Sequence, residues 1–373
     1  MIDKARVKQL FIDLIGINSP SKQERGVADY LKAKLTSLGF EVEEDNAGGK
    51  IGGNAGNVMA CMKGTAPGGR GIFFSCHMDT VEPTDKLKLV EKDGVLQSDG
   101  STILGADDKG GIAAVIEGAL SVIESGEPHG DIQLLFDISE ETGLLGARYV
   151  DHSRIKGKLG YVFDTSRPAG GITVSAPSHE TLAVEITGVA AHAGMAPERG
   201  VSAIVAASNA ISKMTLGRID DETTANIGTI SGGKARNIIP DKVIIKGEAR
   251  SRCEEKLVAQ VEHMRRVFEE EAAKIGAKAE VMSQREYSAY RWGEDDEVVK
   301  LAVAASRRIG MEPSFQEGGG GSDANIFNSV GIPTVVIGVG YDNPHAANEI
   351  MPIDELEQAA EYAAALILEA AKS

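Results

Sequence analysis

Residues 105–126 read GADDKGGIAAVIEGALSVIESG, and this stretch lies between two apolar runs of strand length. Its second part, from Gly111 to Gly126, predicts a helix. Short apolar runs that end in polar residues lie before and after it, GIFFSCHMD at 71–79 and DIQLLFDISEE at 131–141. Buried strands separated by a helix predict parallel pairing. In sheets of this kind, ligands bind beyond the carboxyl ends of the strands.

The same alternation extends in both directions along the chain. GKLGYVFDTS at 157–166 and PTVVIGVG at 333–340 are two further apolar runs of strand length, and helices are predicted over 22–39 and 295–310. Short apolar runs of this kind are typical of strands that are buried on both faces. We therefore predict an α/β fold with a mostly parallel sheet covered by helices on both faces.

A different pattern occupies residues 177–288. The predicted elements there are a strand at 180–189, a helix at 200–217, strands at 225–233 and 242–251, a helix at 253–276 and a strand at 278–288. This β-α-β-β-α-β order is that of a split βαβ, ferredoxin-like α+β unit. We predict that it is inserted into a larger, discontinuous domain made of residues 1–176 and 289–373.

Length and charge narrow the class of protein. A chain of 373 residues exceeds the usual size of one hydrophobic core, which agrees with two domains. The 55 acidic residues outnumber the 39 basic ones, so binding to nucleic acid or to an anionic membrane surface is not expected. Cys61, Cys76 and Cys253 form no disulfide framework, and the first residues do not resemble a signal peptide. A cytoplasmic protein is expected.

Acidic and imidazole side chains follow the ends of the predicted parallel strands. They are His77 and Asp79, Glu140 and Glu141, Asp164 and His345, with Asp107 and Asp108 before the helix. Parallel strands would bring these groups to one edge of the sheet, where unpaired carboxylates repel one another. A divalent cation such as zinc would remove that repulsion, and carboxylates and imidazoles are among its usual ligands.

Five motifs resemble the metal-site motifs of the M20 family of dizinc exopeptidases. In chain order they are SCHMDTVEP, GADDKGGIAA, SEETGLLGAR, VFDTS and NPHAANE. GSTILGADDKGGIAA, RNIIPDKVIIKGEARS and GGGGSDANIFNSVGIPTVVIGVG are most similar to the peptidase T branch, whose members release the N-terminal residue of tripeptides. The resemblance implies a catalytic dimetal peptidase domain and an inserted lid or dimerisation domain, with short peptides as substrates.

The resemblance also implies a ligand set. Asp107 would bridge two divalent metal ions, with His77 and Asp164 on one ion and Glu141 and His345 on the other. Zinc is expected, and cobalt or manganese could substitute for it. The peptide bond between Asp107 and Asp108 is typically cis in the family.

Three catalytic residues are implied, Glu140, Asp79 and His192. Glu140 would take a proton from a water that bridges the metals and pass it to the leaving amine. Asp79 would hold the imidazole of His77, because a ligand histidine usually donates its other ring nitrogen to a carboxylate. His192 would donate to the oxyanion, and in dimeric relatives it comes from the partner subunit. The sequence leaves a monomer and a homodimer through the inserted domain open.

Three further residues would bind the substrate. Arg250 would bind a substrate carboxylate, because a guanidinium offers that ion two parallel hydrogen bonds. Asn237 would add a hydrogen bond nearby. Ser322, in the glycine-rich loop, would lie close to the peptide.

Two motifs depart from the usual peptidase T form. The residues before Glu140 lack the typical proline and aspartate, and Ala193 follows His192 where many members have proline. A metal-dependent carboxypeptidase or an N-acyl-amino-acid deacylase on the same scaffold is therefore the alternative. A module that binds metal without turnover is a third class, and it predicts a lost base, whereas Glu140 is present.

Overall fold

The structure is a computed structural model, and it describes residues 1–372. The chain forms two compact units. The first contains residues 1–175, 292–318 and Ser322 onward, and the second contains residues 176–291 and 319–321. The second unit is the segment in which the sequence predicts an inserted domain.

The helices and strands of residues 1–372 have the following bounds. The helices are α1 (Lys4–Ile15), α2 (Arg25–Ser37), α3 (Ala47–Ile51), α4 (Ala106–Ser125), α5 (Leu145–Tyr149), α6 (Ala203–Lys213), α7 (Glu254–Lys274), α8 (Glu297–Arg308), α9 (Asp323–Ser329) and α10 (Ile353–Ala370). The strands up to β9 are β1 (Glu41–Glu44), β2 (Val58–Met62), β3 (Ile72–His77), β4 (Leu89–Lys92), β5 (Val95–Ser98), β6 (Ile132–Asp137), β7 (Gly160–Phe163), β8 (Gly171–Ala176) and β9 (Ser178–Thr187). The later strands are β10 (Gly217–Arg218), β11 (Thr223–Gly232), β12 (Lys242–Ser251), β13 (Lys278–Tyr287), β14 (Tyr290–Arg291), β15 (Ser314–Glu317), β16 (Thr334–Ile337) and β17 (Ile350–Pro352).

The large sheet of the first unit has a parallel centre. Its strand order is β1-β2-β6-β3-β7-β16-β8, and β15 pairs with β8. Strands β6, β3, β7 and β16 pair in parallel, whereas β1, β2 and β8 join the sheet antiparallel. The four parallel strands are the four apolar runs of the sequence, so the predicted fold class is confirmed.

Helices cover both faces of this sheet. Phe73 and Phe74 are neighbours on β3, and successive strand residues point to opposite faces. The ring of Phe73 lies 5.0 Å from that of Phe327 in α9. The ring of Phe74 lies 5.6 Å from that of Phe163, which in turn lies 6.3 Å from Tyr362 in α10. Strand β3 is buried along its whole length because both of its faces are packed in this way.

The second unit has its own sheet and core. Its strand order is β10-β11-β12-β9-β13, and every pairing is antiparallel. Helices α6 and α7 pack against the sheet, and the buried side chains include Leu182, Ile186 and Phe268. The β-α-β-β-α-β order agrees with the sequence pattern, with the two-residue strand β10 added. The role of this unit as a lid or dimerisation domain stays a prediction.

Two further features of the described residues concern membrane-spanning helices and the cysteines. Among residues 1–372, no helix combines the length and the apolar character needed to cross a membrane. Cys61, Cys76 and Cys253 are all free thiols, as their spacing predicts.

Candidate metal centre

The predicted ligands lie at the carboxyl edge of the parallel strands. His77 is the last residue of β3, Asp164 directly follows β7, and the glutamates Glu140 and Glu141 begin a short 3-10 helix after β6. Asp107 lies in the first turn of α4. The parallel pairing of these strands places their carboxyl ends at one edge, which is why residues far apart in sequence meet there.

His77, Asp107 and Asp164 form the first group of candidate ligands. Their ligand atoms lie within 4.8 Å of one another. His77 Nε2 is 3.1 Å from Asp107 Oδ1 and 3.8 Å from Asp164 Oδ1. The other ring nitrogen of His77, Nδ1, lies 3.0 Å from the backbone oxygen of Asp79. The sequence predicts the Asp79 carboxylate as this partner, but its Oδ1 lies 3.5 Å from Nδ1 and the shorter contact is to the backbone oxygen. Asp79 thus holds the imidazole from behind while Nε2 faces the carboxylates, as is usual for a metal-ligating histidine.

Asp107, Glu141 and His345 form a second group, also within 4.8 Å of one another. His345 Nε2 is 3.1 Å from Asp107 Oδ2 and 2.9 Å from Glu141 Oε1. Asp107 therefore presents Oδ1 to the first group and Oδ2 to the second. The side chain of His345 is 50% exposed, whereas that of His77 is 2% exposed, so solvent reaches the cluster from the His345 side.

Glu140 and Glu141 form a third group with His77. Ser139, just before them, has φ 54°, a left-handed conformation that turns the chain sharply after β6. The backbone N–H groups of Glu140 and Glu141 donate to the Asp79 carboxylate at 3.0 and 3.3 Å. Asp79 therefore orients both glutamates as well as His77, a role that its spacing from His77 did not predict.

The turn that carries Asp107 depends on two glycines. The peptide bond between Asp107 and Asp108 is cis, as the resemblance implies. Gly105 has φ 77°, which favours glycine. A Cβ atom on Gly111 would lie 2.1 Å from the carbonyl oxygen of Phe163, so only glycine lets this helix approach β7 so closely.

Buried negative charge dominates the electrostatics of the cluster. Burial raises the pKa of Glu140 well above its usual value, and the charge of Asp164 raises it further. Burial also raises the pKa of Asp164, and the neighbouring charge of Asp107 adds to the effect. These carboxyl groups cannot all be ionised together unless positive charge lies among them.

Protons on the two imidazoles supply part of that positive charge. Hydrogen bonds to Asp107 and Glu141 raise the pKa of His345 to about 10. Burial alone would lower the pKa of His77, but its hydrogen bonds to Asp107 and Asp79 raise it well above the usual range. Metal ions bind deprotonated ligands and release such protons. Two cations at this cluster would replace the protons, and the oxygen and nitrogen ligands suit zinc or a neighbouring divalent ion.

Two buried residues, Tyr341 and Glu349, contact Asp107 although no sequence motif predicts it. The hydroxyl of Tyr341 lies 3.1 Å from Asp107 Oδ1 and 3.1 Å from Asp164 Oδ1. The carboxylate of Glu349 accepts a hydrogen bond from the backbone N–H of Asp107 at 3.0 Å. Glu349 is the last residue of the NPHAANE motif, so it lies in a segment that the sequence already links to the metal site. A single acid four residues after a histidine nevertheless does not indicate burial.

His192 and Asn237 lie on paired segments of the second unit. Ala193 N–H donates to the carbonyl oxygen of Asn237 at 3.0 Å, and the backbones of His192 and Ile238 pair in an isolated antiparallel β-bridge. His192 and Asn237 are both exposed. His192 Nδ1 accepts from the backbone N–H groups of Gly194 and Met195 at 3.2 and 3.1 Å. In a neutral ring the proton then lies on Nε2, which is a donor.

Arg250 lies near the end of β12 beside an acidic partner. Its Nε and Nη2 atoms donate to the two oxygens of Glu248, both at 3.2 Å. His179 Nε2 is 3.0 Å from Glu248 Oε2, and the Tyr287 hydroxyl is 3.4 Å from Arg250 Nη1. The guanidinium is therefore held in a fixed direction in the free protein, an arrangement that the sequence did not reveal.

Ser322 belongs to the first unit, at the start of α9. It is buried, and its backbone N–H donates to Asn325 Oδ1 at 3.1 Å. This hydrogen bond caps the start of α9 through the side chain of Asn325 and the backbone of Ser322, so it does not involve the serine hydroxyl. A contact between Ser322 and substrate stays a prediction.

Comparison with known proteins identifies related chains. The profile of peptidase family M20/M25/M40 matches residues 73–369. The chain is 45% identical over 372 residues to the uncharacterized protein YqjE of Bacillus subtilis, with 100% of both chains covered. It is 30% identical to carboxypeptidase G2 of a Pseudomonas species, covering 95% of this chain and 87% of the relative.

Two solved structures are similar to the whole chain. Aminopeptidase PepT from Bacillus cereus has a TM-score of 0.94 at 44% identity, and the alignment covers 99% of each chain. A tripeptidase from Staphylococcus aureus has a TM-score of 0.96 at 40% identity, and the alignment covers 100% of each chain. The prediction of a metallo-exopeptidase is thereby confirmed. The chain belongs to the M20/M25/M40 family of peptidases.

Proposed function

We propose that the protein is a dimetal aminopeptidase that releases the N-terminal residue of tripeptides. The observation that carries the proposal is the shared carboxylate of Asp107, which belongs to two ligand groups with Glu140 beside them. The similarity to an aminopeptidase and to a tripeptidase, at 44% and 40% identity over the whole chain, supports the substrate class.

Five residues of the first unit are the proposed metal ligands. His77 and Asp164 would hold one divalent ion, Glu141 and His345 the other, and Asp107 both. When bound, the two ions supply Lewis acidity toward the scissile carbonyl and lower the pKa of the attacking water. Zinc is the proposed metal, because one imidazole and two carboxylates for each ion, with a fourth position open, form a set that catalytic zinc commonly has.

Glu140 is the proposed proton carrier. It does not belong to either of the two groups that share Asp107, and its backbone is fixed by Asp79. Its carboxylate would accept a proton from the attacking water and donate it to the nitrogen of the leaving amine. A carboxylate within reach of both atoms performs both steps without a second residue.

His192 is proposed to stabilise the negative charge that develops on the carbonyl oxygen. Its Nδ1 accepts two backbone hydrogen bonds, so Nε2 carries the proton and can donate it. A hydrogen-bond donor of fixed tautomer that faces the developing charge contributes about 3 kcal/mol to such reactions. We propose Asn237, on the paired segment, as a further hydrogen-bond donor to the substrate.

Arg250 is proposed to bind the C-terminal carboxylate of the substrate. Glu248 and Tyr287 already fix its guanidinium, so little conformational entropy is lost when a second carboxylate binds. A peptide that is held at its carboxylate while its first peptide bond reacts has a limited length. This limit is the physical basis for a preference for tripeptides.

A panel of peptides tests the proposed function. Zinc-reconstituted protein is incubated with one tripeptide in three forms, with free ends, with an acetylated N-terminus and with an amidated C-terminus, and the products are read by mass spectrometry. Release of the N-terminal residue from the free tripeptide, with the acetylated form left intact, is expected. Release of the C-terminal residue would instead support the carboxypeptidase alternative, for which the 30% identity to carboxypeptidase G2 is the supporting observation. Efficient cleavage of the acetylated form would support the deacylase alternative.

Replacing Arg250 with alanine is expected to lower kcat/KM for the free-acid tripeptide by about 2–4 kcal/mol, a factor of about 30 to 1,000. The loss arises because the substrate carboxylate stays partly desolvated without a partner. Steady-state kinetics with the amidated tripeptide provide the control, since that substrate lacks the carboxylate and is expected to change little. Arg250→Lys is expected to fall between wild type and Arg250→Ala. Equal losses on both substrates would show that Arg250 has a structural role only.

A further inference from the structure

Glu349 joins two of the metal-site motifs through backbone hydrogen bonds. Its Oε2 accepts from the N–H groups of Leu104 and Gly105 at 2.9 and 2.7 Å, and its Oε1 accepts from the N–H of Asp107 at 3.0 Å. The side chain is 1% exposed. One carboxylate therefore satisfies three backbone donors in the turn that carries Asp107.

These three bonds fix the part of the chain that must be most precise. Asp107 belongs to both ligand groups, so its backbone position sets the direction in which Oδ1 and Oδ2 point. The turn before it contains Gly105 at φ 77°, a residue type that by itself restrains the backbone little. Without an acceptor at this place, three buried N–H groups would lack partners, which costs about 1–3 kcal/mol each.

Glu349 also belongs to the loop that carries His345. His345 has φ 64°, an uncommon conformation for a residue with a side chain. Glu349 lies four residues later in the same loop, and its N–H donates to the carbonyl oxygen of Ala346 at 2.9 Å. A single side chain thus couples the His345 loop to the Asp107 turn, although the two are about 240 residues apart in sequence.

We propose that Glu349 is a positioning residue that holds the Asp107 carboxylate in place between the two metal positions. The inference rests on the proposed function, because it concerns residues that would bind the metals. Partners of metal ligands typically change metal affinity by about 10- to 100-fold when they are mutated. Because Asp107 is shared, the loss of Glu349 weakens both metal positions together. A residue that only supported the His345 loop would affect one position.

Glu349→Gln tests the proposal with little change in shape. Glutamine keeps one acceptor oxygen and replaces the other with an NH₂ group, which would face at least one backbone N–H and cannot accept from it. Metal-free protein is titrated with Co²⁺ in buffers of defined free metal concentration, and binding is followed by visible absorption. We expect two equivalents in wild type, and in the variant both equivalents with dissociation constants raised about 10- to 100-fold.

Glu117→Gln is the matched control. Glu117 lies in α4, the helix whose first turn contains Asp107, and it is fully buried like Glu349. Its carboxylate accepts from Asp3 N–H and Arg6 Nε, both at 2.6 Å, away from the ligands. It is expected to lower the melting temperature while it leaves Co²⁺ binding unchanged. Should Glu349→Gln fail to fold, Glu349→Asp keeps the charge, shortens the reach and gives the same comparison.

The outcomes distinguish failure of the proposed dimetal function from failure of the positioning role of Glu349. Wild-type protein that binds no Co²⁺ would overturn the proposed function itself. Two equivalents in wild type with unchanged affinity in the folded Glu349 variant, or a loss at only one position, would overturn the role of Glu349 alone. An equal loss of affinity in Glu117→Gln would do the same, because it would reflect general destabilisation.

Discussion

Replacing Glu140 with glutamine is expected to lower kcat for a free tripeptide by about 10²- to 10⁴-fold while both metal ions stay bound. Glutamine has nearly the same shape, but it cannot accept a proton from the attacking water or return one to the leaving amine. The backbone of Glu140 is held by Asp79 whatever its side chain is, so the ligands beside it keep their positions. The measurement combines steady-state kinetics with elemental analysis of the same sample.

Glu141→Gln is the matched control for this experiment. The two glutamates are adjacent, and both N–H groups donate to Asp79, but only Glu141 lies in the group with Asp107 and His345. The Glu141 variant is expected to lose one metal ion together with activity. Near-normal turnover by a metal-replete Glu140→Gln variant would show that another group carries the proton.

Asp107→Asn is expected to remove both metal ions and to abolish measurable activity. The substitution keeps the shape of the side chain but removes the negative charge that both ligand groups share. Mutation of a residue that only hydrogen-bonds to a ligand lowers metal affinity by about 10- to 100-fold. Loss of a ligand that both ions share is expected to lower it further. Elemental analysis after gel filtration in metal-free buffer provides the measurement.

Two single-ligand variants make this prediction specific. His77 lies in the first group with Asp107, and His345 lies in the second. His77→Ala and His345→Ala are each expected to lose one metal ion preferentially, whereas Asp107→Asn loses both. One retained ion in Asp107→Asn, with affinity equal to that of wild type, would show that the carboxylate is not shared.

The fold could be read from sequence because its central strands are short, continuous apolar runs. Strands such as β3 are buried along their whole length, so the apolar run and the strand coincide. The candidate ligands could be located for the same reason, since each follows a strand end or starts a helix. Parallel strands then bring them together, and His77 and Asp164 lie next to each other without any local sequence signal for that contact.

The residues that support the site could not be predicted in this way. The hydrogen bonds of Glu349 to the Asp107 turn link residues that are distant in sequence, and nothing in a single acid indicates burial. Lys109 follows the two aspartates and would ordinarily be exposed, yet it is fully buried and donates to the carbonyl oxygen of Ile17 at 2.6 Å. Such roles depend on which loops meet, and periodicity does not contain that information.

The most direct test of the two-metal account is a crystal structure of the zinc-loaded protein with anomalous scattering measured at the zinc absorption edge. Two anomalous peaks are expected, one on each side of the Asp107 carboxylate. One would be contacted by His77 and Asp164, and the other by Glu141 and His345. A single peak, or peaks that are not in contact with Asp107, would contradict the account.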